Sequence, residues 1–593
     1  MTTPRPEYPR PQFVREQWYN LNGEWDFQLD PSNTGLDQKW FASPVFTDKI
    51  VVPYAYLAPL SKVKDKTPSD WCWYSRKFVV PDAMCGKQII LHFGAVDYEC
   101  QVYLNGKMVG THEGGHTPFA FNITPYLGDR EQTLTLRVYD PLYSESIPRG
   151  KQNWIGQSNS IWYTTTTGIW QTVWLEAVEK TYIKNVRFTP DVDNGNVAIE
   201  ATIGGDYKVA VLDIDISFKG EQIVQSQITT TDDTIRTTLS LYSGKVFNGV
   251  FHHIGMAWSP ENPQLFDVTF KLNTDDKTVD EVSSYFGLRK IHTENGKILL
   301  NNRPYYQKLV LDQGYWPEGL LTAPTDEDYI KDIKLTKEMG FNGARKHQKV
   351  EDPRFLYWAD KLGFLVWGEC GAVPSFNQDG VARLTREWLE IVDRDYNHPC
   401  IVTWVPFNES WGVTEIARDK QQQAHTLALY YMIKSLDTTR LCISNDGWEM
   451  TKTDICAFHT YGHGSADNVG AQKHYQETLR SFEFLQKNSV HRKLYAEGFA
   501  HEGEPVMLTE FGGIAYKVDD TSGWGYTTVK SAEELLADYA RIIDAIRGSE
   551  YLHGFCYTQI TDVEQEVNGL LTYDRQPKCD LARIRELNGL VWG

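Results

Sequence analysis

Ile401-Val-Thr-Trp-Val-Pro-Phe-Asn-Glu-Ser410 decides how this chain of 593 residues is read, and Pro505-Val-Met-Leu-Thr-Glu-Phe-Gly-Gly513 repeats its form. Each is a short apolar run ending in a carboxylate, Glu409 in the first and Glu510 in the second. An apolar run of this length bounded by turn residues reads as a buried strand. An unpaired carboxylate is costly to bury, so a strand that ends in one has put it there for a reason. Where helices alternate with such strands, the strand C-termini are where a (β/α)8 barrel keeps its chemistry.

Outward from these two runs, the alternation continues. Phe364-Leu-Val-Trp367, Leu441-Cys-Ile-Ser444 and Gly554-Phe-Cys-Tyr557 are further strand-like runs, and Asp326 to Met339 has a helical pattern. Thr325 is placed to cap that helix and Gly340 to end it. Residues 288–593 are therefore expected to form a (β/α)8 TIM barrel. Upstream the character differs. Ile89-Ile-Leu-His-Phe93, Cys100-Gln-Val-Tyr-Leu104 and Leu134-Thr-Leu-Arg-Val-Tyr139 are short strand-like runs, with turn pairs such as Asn105-Gly106 between them. A β-sandwich is expected over 1–180, and a second, immunoglobulin-like β-sandwich over 181–287.

Composition bounds the partners. With 78 Asp and Glu against 59 Lys and Arg, the net charge is −19, so a nucleic-acid footprint is not expected. The 19 Trp and 32 Tyr offer flat apolar faces with a polar handle, which suit sugar rings and also suit all-β cores. Nine cysteines without CxxC spacing argue against a disulfide framework or a structural zinc site. The start, Met1-Thr-Thr-Pro-Arg-Pro-Glu-Tyr-Pro-Arg10, has no apolar signal region, which makes a cytoplasmic protein the expectation. No run is long and apolar enough to span a bilayer, so no membrane partner is expected.

Taken in order, several motifs resemble glycoside hydrolase family 2, the family of β-galactosidase and β-glucuronidase. They are Leu21-Asn-Gly-Glu-Trp-Asp-Phe27, Val102-Tyr-Leu-Asn-Gly106, Pro148-Arg-Gly-Lys-Gln152, Thr167-Gly-Ile-Trp-Gln171, Arg394-Asp-Tyr-Asn-His-Pro399 and Phe407-Asn-Glu-Ser410. The resemblance implies that the first sandwich is a sugar-binding-like jelly roll. It also implies that Glu409 is the general acid/base after the fourth barrel strand and Glu510 the nucleophile on the seventh. One of the two must hold a proton and the other must be ionised, which their surroundings decide. Asn408 would hydrogen-bond the sugar 2-hydroxyl, Tyr461 would touch the nucleophile, and Arg345 would lie under the site and favour its ionised form. Glu369 ends another strand and is a lining candidate. His459 is either a substrate contact or a core histidine, and His398, ahead of its strand, is structural. A glycoside or oligosaccharide substrate and a homo-oligomer are further implications.

Some positions depart from the family. β-Glucuronidases carry Asn-x-Lys-Gly late in the barrel to grip the sugar carboxylate; here the stretch is Glu566-Val-Asn-Gly569, without the lysine. Glu566 would repel a uronate. The histidine three places after the family's arginine is replaced by Gln348, and a magnesium-binding His and Glu are missing, so no metal or other cofactor is expected. Asp312, Gln313, Trp316, Gln559 and Asp562 become the candidates for selecting the sugar. The expected activity is that of a retaining exo-β-glycosidase acting on a terminal neutral sugar. The alternatives are the same mechanism on a galactofuranoside, arabinoside or uronide, or a carbohydrate-binding protein that has lost hydrolysis.

Overall fold

The computed structural model describes residues 3–242, 255–275, 277–488, 492–518 and 522–591. The first region is a sandwich of two antiparallel sheets. The larger runs in the order Asp48–Val52, Gly23–Leu29, Trp71–Val79, Glu131–Tyr139, Glu99–Leu104, Lys107–Glu113. The smaller runs Trp18–Asn20, Val173–Val178, Gln88–Phe93, Phe119–Asn122. Inward residues such as Leu91, Phe93, Val102, Leu134 and Leu136 fill the space between them and are fully buried, which is what period-two alternation does for two facing sheets.

The second sandwich packs Tyr182–Asp191, Asn196–Gly204 and Thr234–Ser240 against Glu221–Thr230, Ala210–Phe218, Phe266–Thr274 and Lys277–Phe286. Along Ala210–Phe218 buried and half-buried residues alternate without a break, so Leu212, Ile214 and Ile216 share one face and the core.

The barrel strands are β1 (Gln307–Asp312), β2 (Gly343–Lys346), β3 (Leu365–Glu369), β4 (Ile401–Val405), β5 (Leu441–Cys442), β6 (Cys456–His459), β7 (Val506–Gly512) and β8 (Leu552–Thr558). They form one parallel sheet in the order β5-β4-β3-β2-β1-β8-β7-β6. The two end strands are neighbours in sequence, and the seam between them is bridged where Asp454 N–H donates to Cys442 O at 2.9 Å. The Asp454 carboxylate in turn accepts from Cys442 N–H at 2.9 Å. The (β/α)8 barrel is thus closed, as expected.

Helix α1 (Asp326–Glu338) starts where Asp328 accepts from both the N–H and the hydroxyl of Thr325, each at 2.8 Å, and the chain leaves it through Gly340 at φ +83°. Helices α2 (Pro353–Leu362) and α3 (Gln378–Asp395) come after β2 and β3. Among the described residues, all nine cysteines are free, and no helix is long and apolar enough to cross a membrane.

Arg15 locks the two sandwiches together. Its guanidinium donates to Glu176 of the first at 2.9 Å and to both oxygens of Asp280 of the second at 3.0 and 2.8 Å, all three side chains being buried. His398 does the same work at the barrel flank, sharing Asp360 with Tyr285 of the second sandwich at 2.6 and 2.8 Å. Removing one member of a buried ion pair strands the other charge, at a cost of about 3–5 kcal/mol. Arg15→Ala is therefore expected to bring an earlier, separate sandwich transition in scanning calorimetry while the barrel transition stays in place; an unchanged thermogram counts against the lock.

Candidate active site

Four residues beyond β4 the chain does something that ordinary side chains avoid. Glu409 and Ser410 both sit in the left-handed region, at φ +53° and +59°. Non-glycine residues there store roughly 1–3 kcal/mol each and persist only where their surroundings over-determine them. Here the segment after β5 does so. Glu409 N–H donates to Asp446 O at 2.8 Å and Asp446 N–H to Phe407 O at 2.8 Å. Ser410 N–H donates to Asn445 Oδ1 at 3.0 Å, and its hydroxyl to Glu449 Oε2 at 2.8 Å. The turn lifts the Glu409 carboxyl to the barrel mouth, where its side chain is 20% exposed.

Glu510 lies within β7 and is 4% exposed. The register of β6 on β7 slips between Phe458 and His459, so His459 pairs with Glu510 and Thr509 is passed over. That irregularity turns the Glu510 side chain and its β6 neighbours toward one another, a common use of bulges beside functional sites. Tyr461 donates its hydroxyl to Glu510 Oε2 at 2.6 Å, and Arg345 Nη1 donates to Oε1 at 3.2 Å.

His459 stands between the two glutamates. Its Nδ1 is 2.8 Å from Glu409 Oε1 and 3.6 Å from Glu510 Oε2, and its Nε2 is 3.0 Å from Asp446 Oδ2. The ligating atoms of Glu409, His459 and Glu510 all lie within 4.8 Å of one another, so the two carboxyls face across a single small space. Burial pushes the Glu510 carboxyl up, but the charges of His459, Arg345 and His347, with the bond from Tyr461, hold it down at about 2. Burial pushes the His459 ring down, but the charges of Glu510 and Asp446 and its bonds to Asp446 and Glu409 raise it to about 10. At neutral pH Glu510 is an anion and His459 a cation.

Arg345, on β2 and fully buried, gathers the rest. It donates to Glu369 Oε1 at 2.8 Å, Asn408 Oδ1 at 2.9 Å and Thr509 O at 2.8 Å, and pairs with Asp446 Oδ2 at 2.6 Å. Glu369 is committed to Arg345, to His347 at 3.0 Å and to Gln348 N–H at 3.0 Å, and is held at about 2 despite burial. It supports the site from below. Among the described residues, the Asn408 amide nitrogen has no hydrogen-bond acceptor, so that donor is left over.

The remaining candidates divide by strand parity. Gln313 donates to Gln559 Oε1 at 3.0 Å, Gln559 donates to Asn568 at 2.8 Å, and Asn568 donates to Glu566 at 3.0 Å; Glu566 also accepts from Tyr163 of the jelly roll. Gln313 and Gln559 thus belong to one buried chain of amides that runs to the jelly roll. Asp562 is tied to Lys578 at 2.6 Å and to Gly569 N–H at 2.9 Å. Asp312 and Trp316, expected to select the sugar, turn the other way. Asp312 pairs with Lys346 at 2.7 Å, and the Lys346 ammonium sits 4.3 Å from the ring centroid of Phe355 on α2. Trp316 packs edge-on to Tyr329 of α1 at 5.5 Å. Alternation along β1 sends Asp312 into the helix layer and Gln313 inward.

Residues not picked from the sequence complete the surroundings. Asp446 comes after β5 and obeys the same strand-end rule that found Glu369. Trp162, on the jelly-roll loop, packs edge-on to Trp154 at 4.6 Å and to Trp411 at 5.0 Å, two residues after Glu409. The Lys151 ammonium lies 5.5 Å from the Trp162 ring centroid. Tyr526 stacks on Tyr461 at 3.5 Å. Two other groupings of ligating side chains occur among the described residues, His116–Cys370–Glu387 and Asp360–His398–Cys400, and in both the histidine is hydrogen-bonded to the carboxylate.

Three family models cover nearly the whole chain. The glycosyl hydrolases family 2 sugar binding domain matches residues 18–177, the glycosyl hydrolases family 2 model matches 181–289, and the family's TIM barrel domain matches 291–591. A beta-galactosidase of Thermoanaerobacter pseudethanolicus is 26% identical over 531 residues, which span 85% of this chain but only 66% of that protein. A beta-glucuronidase of Rattus norvegicus is 23% identical over 640 residues, spanning 95% and 90% of the two chains. Among solved structures, a beta-glucuronidase of an uncultured Clostridium sp. superposes with a TM-score of 0.77 at 20% identity, over 98% of this chain and 99% of the other. A β-glucuronidase from Ruminococcus gnavus in complex with D-glucuronic acid gives 0.76 at 18% identity, over 98% and 99%. At these identities the structural likeness is one of fold.

A hydrogen bond to a charged group is worth about 1.5–3 kcal/mol, and one pH unit of titration is about 1.4 kcal/mol. Tyr461→Phe is accordingly expected to raise the Glu510 titration by about one to two units, read from the carbon-13 shift of a labelled carboxyl. A titration that stays put means the tyrosine does not hold that charge.

Proposed function

The chain belongs to glycoside hydrolase family 2, and on that footing we propose that it is a retaining exo-β-glycosidase that removes a terminal neutral sugar of the β-galactoside kind. Glu510 attacks the anomeric carbon as Glu409 gives its proton to the leaving oxygen. A water then gives its proton to Glu409 and displaces Glu510 from the sugar.

One observation carries this reading: oxygens of Glu409 and Glu510 within 4.8 Å of each other. A retaining site holds its carboxyls about 5–5.5 Å apart, whereas an inverting site leaves about 6.5–9.5 Å for a water between them. The low titration of Glu510 supports its role as the ionised member, since a nucleophile has to be charged before the substrate arrives. The free amide nitrogen of Asn408 supports a contact to the sugar 2-hydroxyl. For the sugar itself, the support is electrostatic. Glu566 and Asn568 occupy the stretch where β-glucuronidases hold the uronate with a lysine, and a second carboxylate beside Glu566 would be repelled.

The test is a panel of aryl β-galactosides, glucosides, arabinosides and glucuronides, with proton NMR tracking the anomer first released. The β-anomer is expected to appear first from a neutral glycoside. Glu510→Ala should lose turnover by on the order of 10⁵-fold. Glu409→Ala should lose about 10²–10⁴-fold on a phenyl glycoside and much less on a dinitrophenyl one, with azide restoring rate and forming a β-glycosyl azide. First release of the α-anomer overturns the double displacement, and cleavage of the glucuronide alone overturns the neutral sugar.

A further inference from the structure

We propose that His459 and Asp446 work with Glu409 as one positioning unit, in which the charged imidazole stabilises the carboxylate that Glu409 becomes once it has protonated the leaving group. The proposal rests on the acid/base role given to Glu409 above and says what sustains it.

The geometry is specific. One ring nitrogen of His459 meets Glu409 Oε1 at 2.8 Å and the other meets Asp446 Oδ2 at 3.0 Å. Both N–H groups of a protonated ring are therefore used, and the ring is fixed in plane and in tilt. The side chain is 1% exposed and Asp446 is fully buried, so water does not weaken either bond. Gly447 allows the close approach, since a Cβ there would fall 2.8 Å from His459 Nδ1. The φ of +103° at Gly447 also suits glycine. Asp446 is itself anchored by Arg345 at 2.6 Å, and its backbone clamps Glu409 from the other side. The same loop thus holds the backbone of the acid/base and, through the histidine, its side chain.

The groups facing His459 are Glu409 from the loop after β4, Asp446 from the loop after β5 and Glu510 from β7, with the edge of Trp448 at 5.6 Å and Arg345 behind Asp446 and Glu510. Three carboxyls and one guanidinium leave the ring in a negative field. The ring enters the cycle charged, and the protons balance without it. Glu409 loses one to the leaving oxygen in the first half-reaction and regains one from water in the second. What changes is the strength of the Nδ1–H bond, which becomes charge-assisted on both sides when Glu409 ionises.

The test is His459→Asn, with Asp446→Asn and the double variant, assayed on dinitrophenyl and phenyl glycosides of the best sugar and checked for folding by circular dichroism. Loss of kcat/KM is expected to be about 10²–10³-fold on the phenyl glycoside and under about tenfold on the dinitrophenyl one, the span that general acid assistance covers. Without the imidazolium, Glu510 loses the cation that does most to hold its carboxyl down, so the acid limb of the pH profile of kcat/KM should move to higher pH. The double variant should be no worse than His459→Asn alone, as for members of one unit. Equal losses on both glycosides with an unmoved profile, or losses that multiply in the double variant, overturn the proposal. Failure of azide to rescue Glu409→Ala would instead strike the acid/base role itself, whatever His459 does.

Discussion

A single buried guanidinium holds the floor of this pocket. Arg345 reaches carboxylates on β3, on β7 and after β5, a carbonyl of β7 and the amide of Asn408 after β4. Taking such a charge out of water costs several kcal/mol, and its partners repay that only when nearly all are in place with good geometry. The strand ends that supply them come together only when the barrel has closed. The arginine therefore ties the completeness of the fold to the completeness of the site. A lysine could not substitute, because an ammonium is a point donor and lacks the planar fork that reaches several oxygens in fixed directions.

The charges around that floor have a consequence for the chemistry. Arg345 and His459 supply two positive charges, and Glu369, Asp446 and Glu510 supply three negative ones, before Glu409 is counted. The pocket floor is thus net negative where a glycosyl group would pass through an oxocarbenium-like state. Fixed charges of the right sign, held in a site that excludes water, are the most effective way to stabilise such a state, because nothing has to reorient as it forms. The bond from Tyr461 and the register slip at Thr509 serve the same end by fixing Glu510 where that charge would develop.

Much of this was legible in the residues and some was not, for physical reasons. Apolar runs ending in carboxylates marked β4 and β7, and the alternation of helix and strand patterns marked the barrel. Thr325 and Gly340 bounded α1 because capping is local chemistry. Arg345 and Tyr461 were found through motifs and lie on Glu510. Asp312 and Trp316 pack toward the helix layer; the strand-end rule does not say which face a residue takes, and a step of one residue turns a side chain from one face to the other. Asp446 was missed because it lies four residues beyond the end of β5, past the Leu441–Ser444 run, whereas Glu369 is the last residue of its strand. The pairing of His459 with Glu510 depends on a slip between β6 and β7, and no pattern within either strand announces one.

The jelly roll settles the shape of the mouth. Residues 149–164 lie across the barrel end. Arg149 and Gly150 N–H donate to Ala372 O after β3 at 3.2 Å, while Ser160 O accepts from Trp524 and Gln565 at 3.0 and 2.7 Å. Between those anchors Trp162 meets Trp411, and Tyr163 reaches Glu566. A barrel mouth left bare is a groove that a polymer can cross. Residues 149–164 wall the mouth on the side that runs from β3 round to β8 and narrow that groove. The aromatic content that composition alone left ambiguous is then partly accounted for by place. Trp154, Trp162 and Trp411 edge the entrance, and Tyr461 and Tyr526 stack beside Glu510. These rings gather at the barrel end and not in a sandwich core, which is the part of the ambiguity that place resolves.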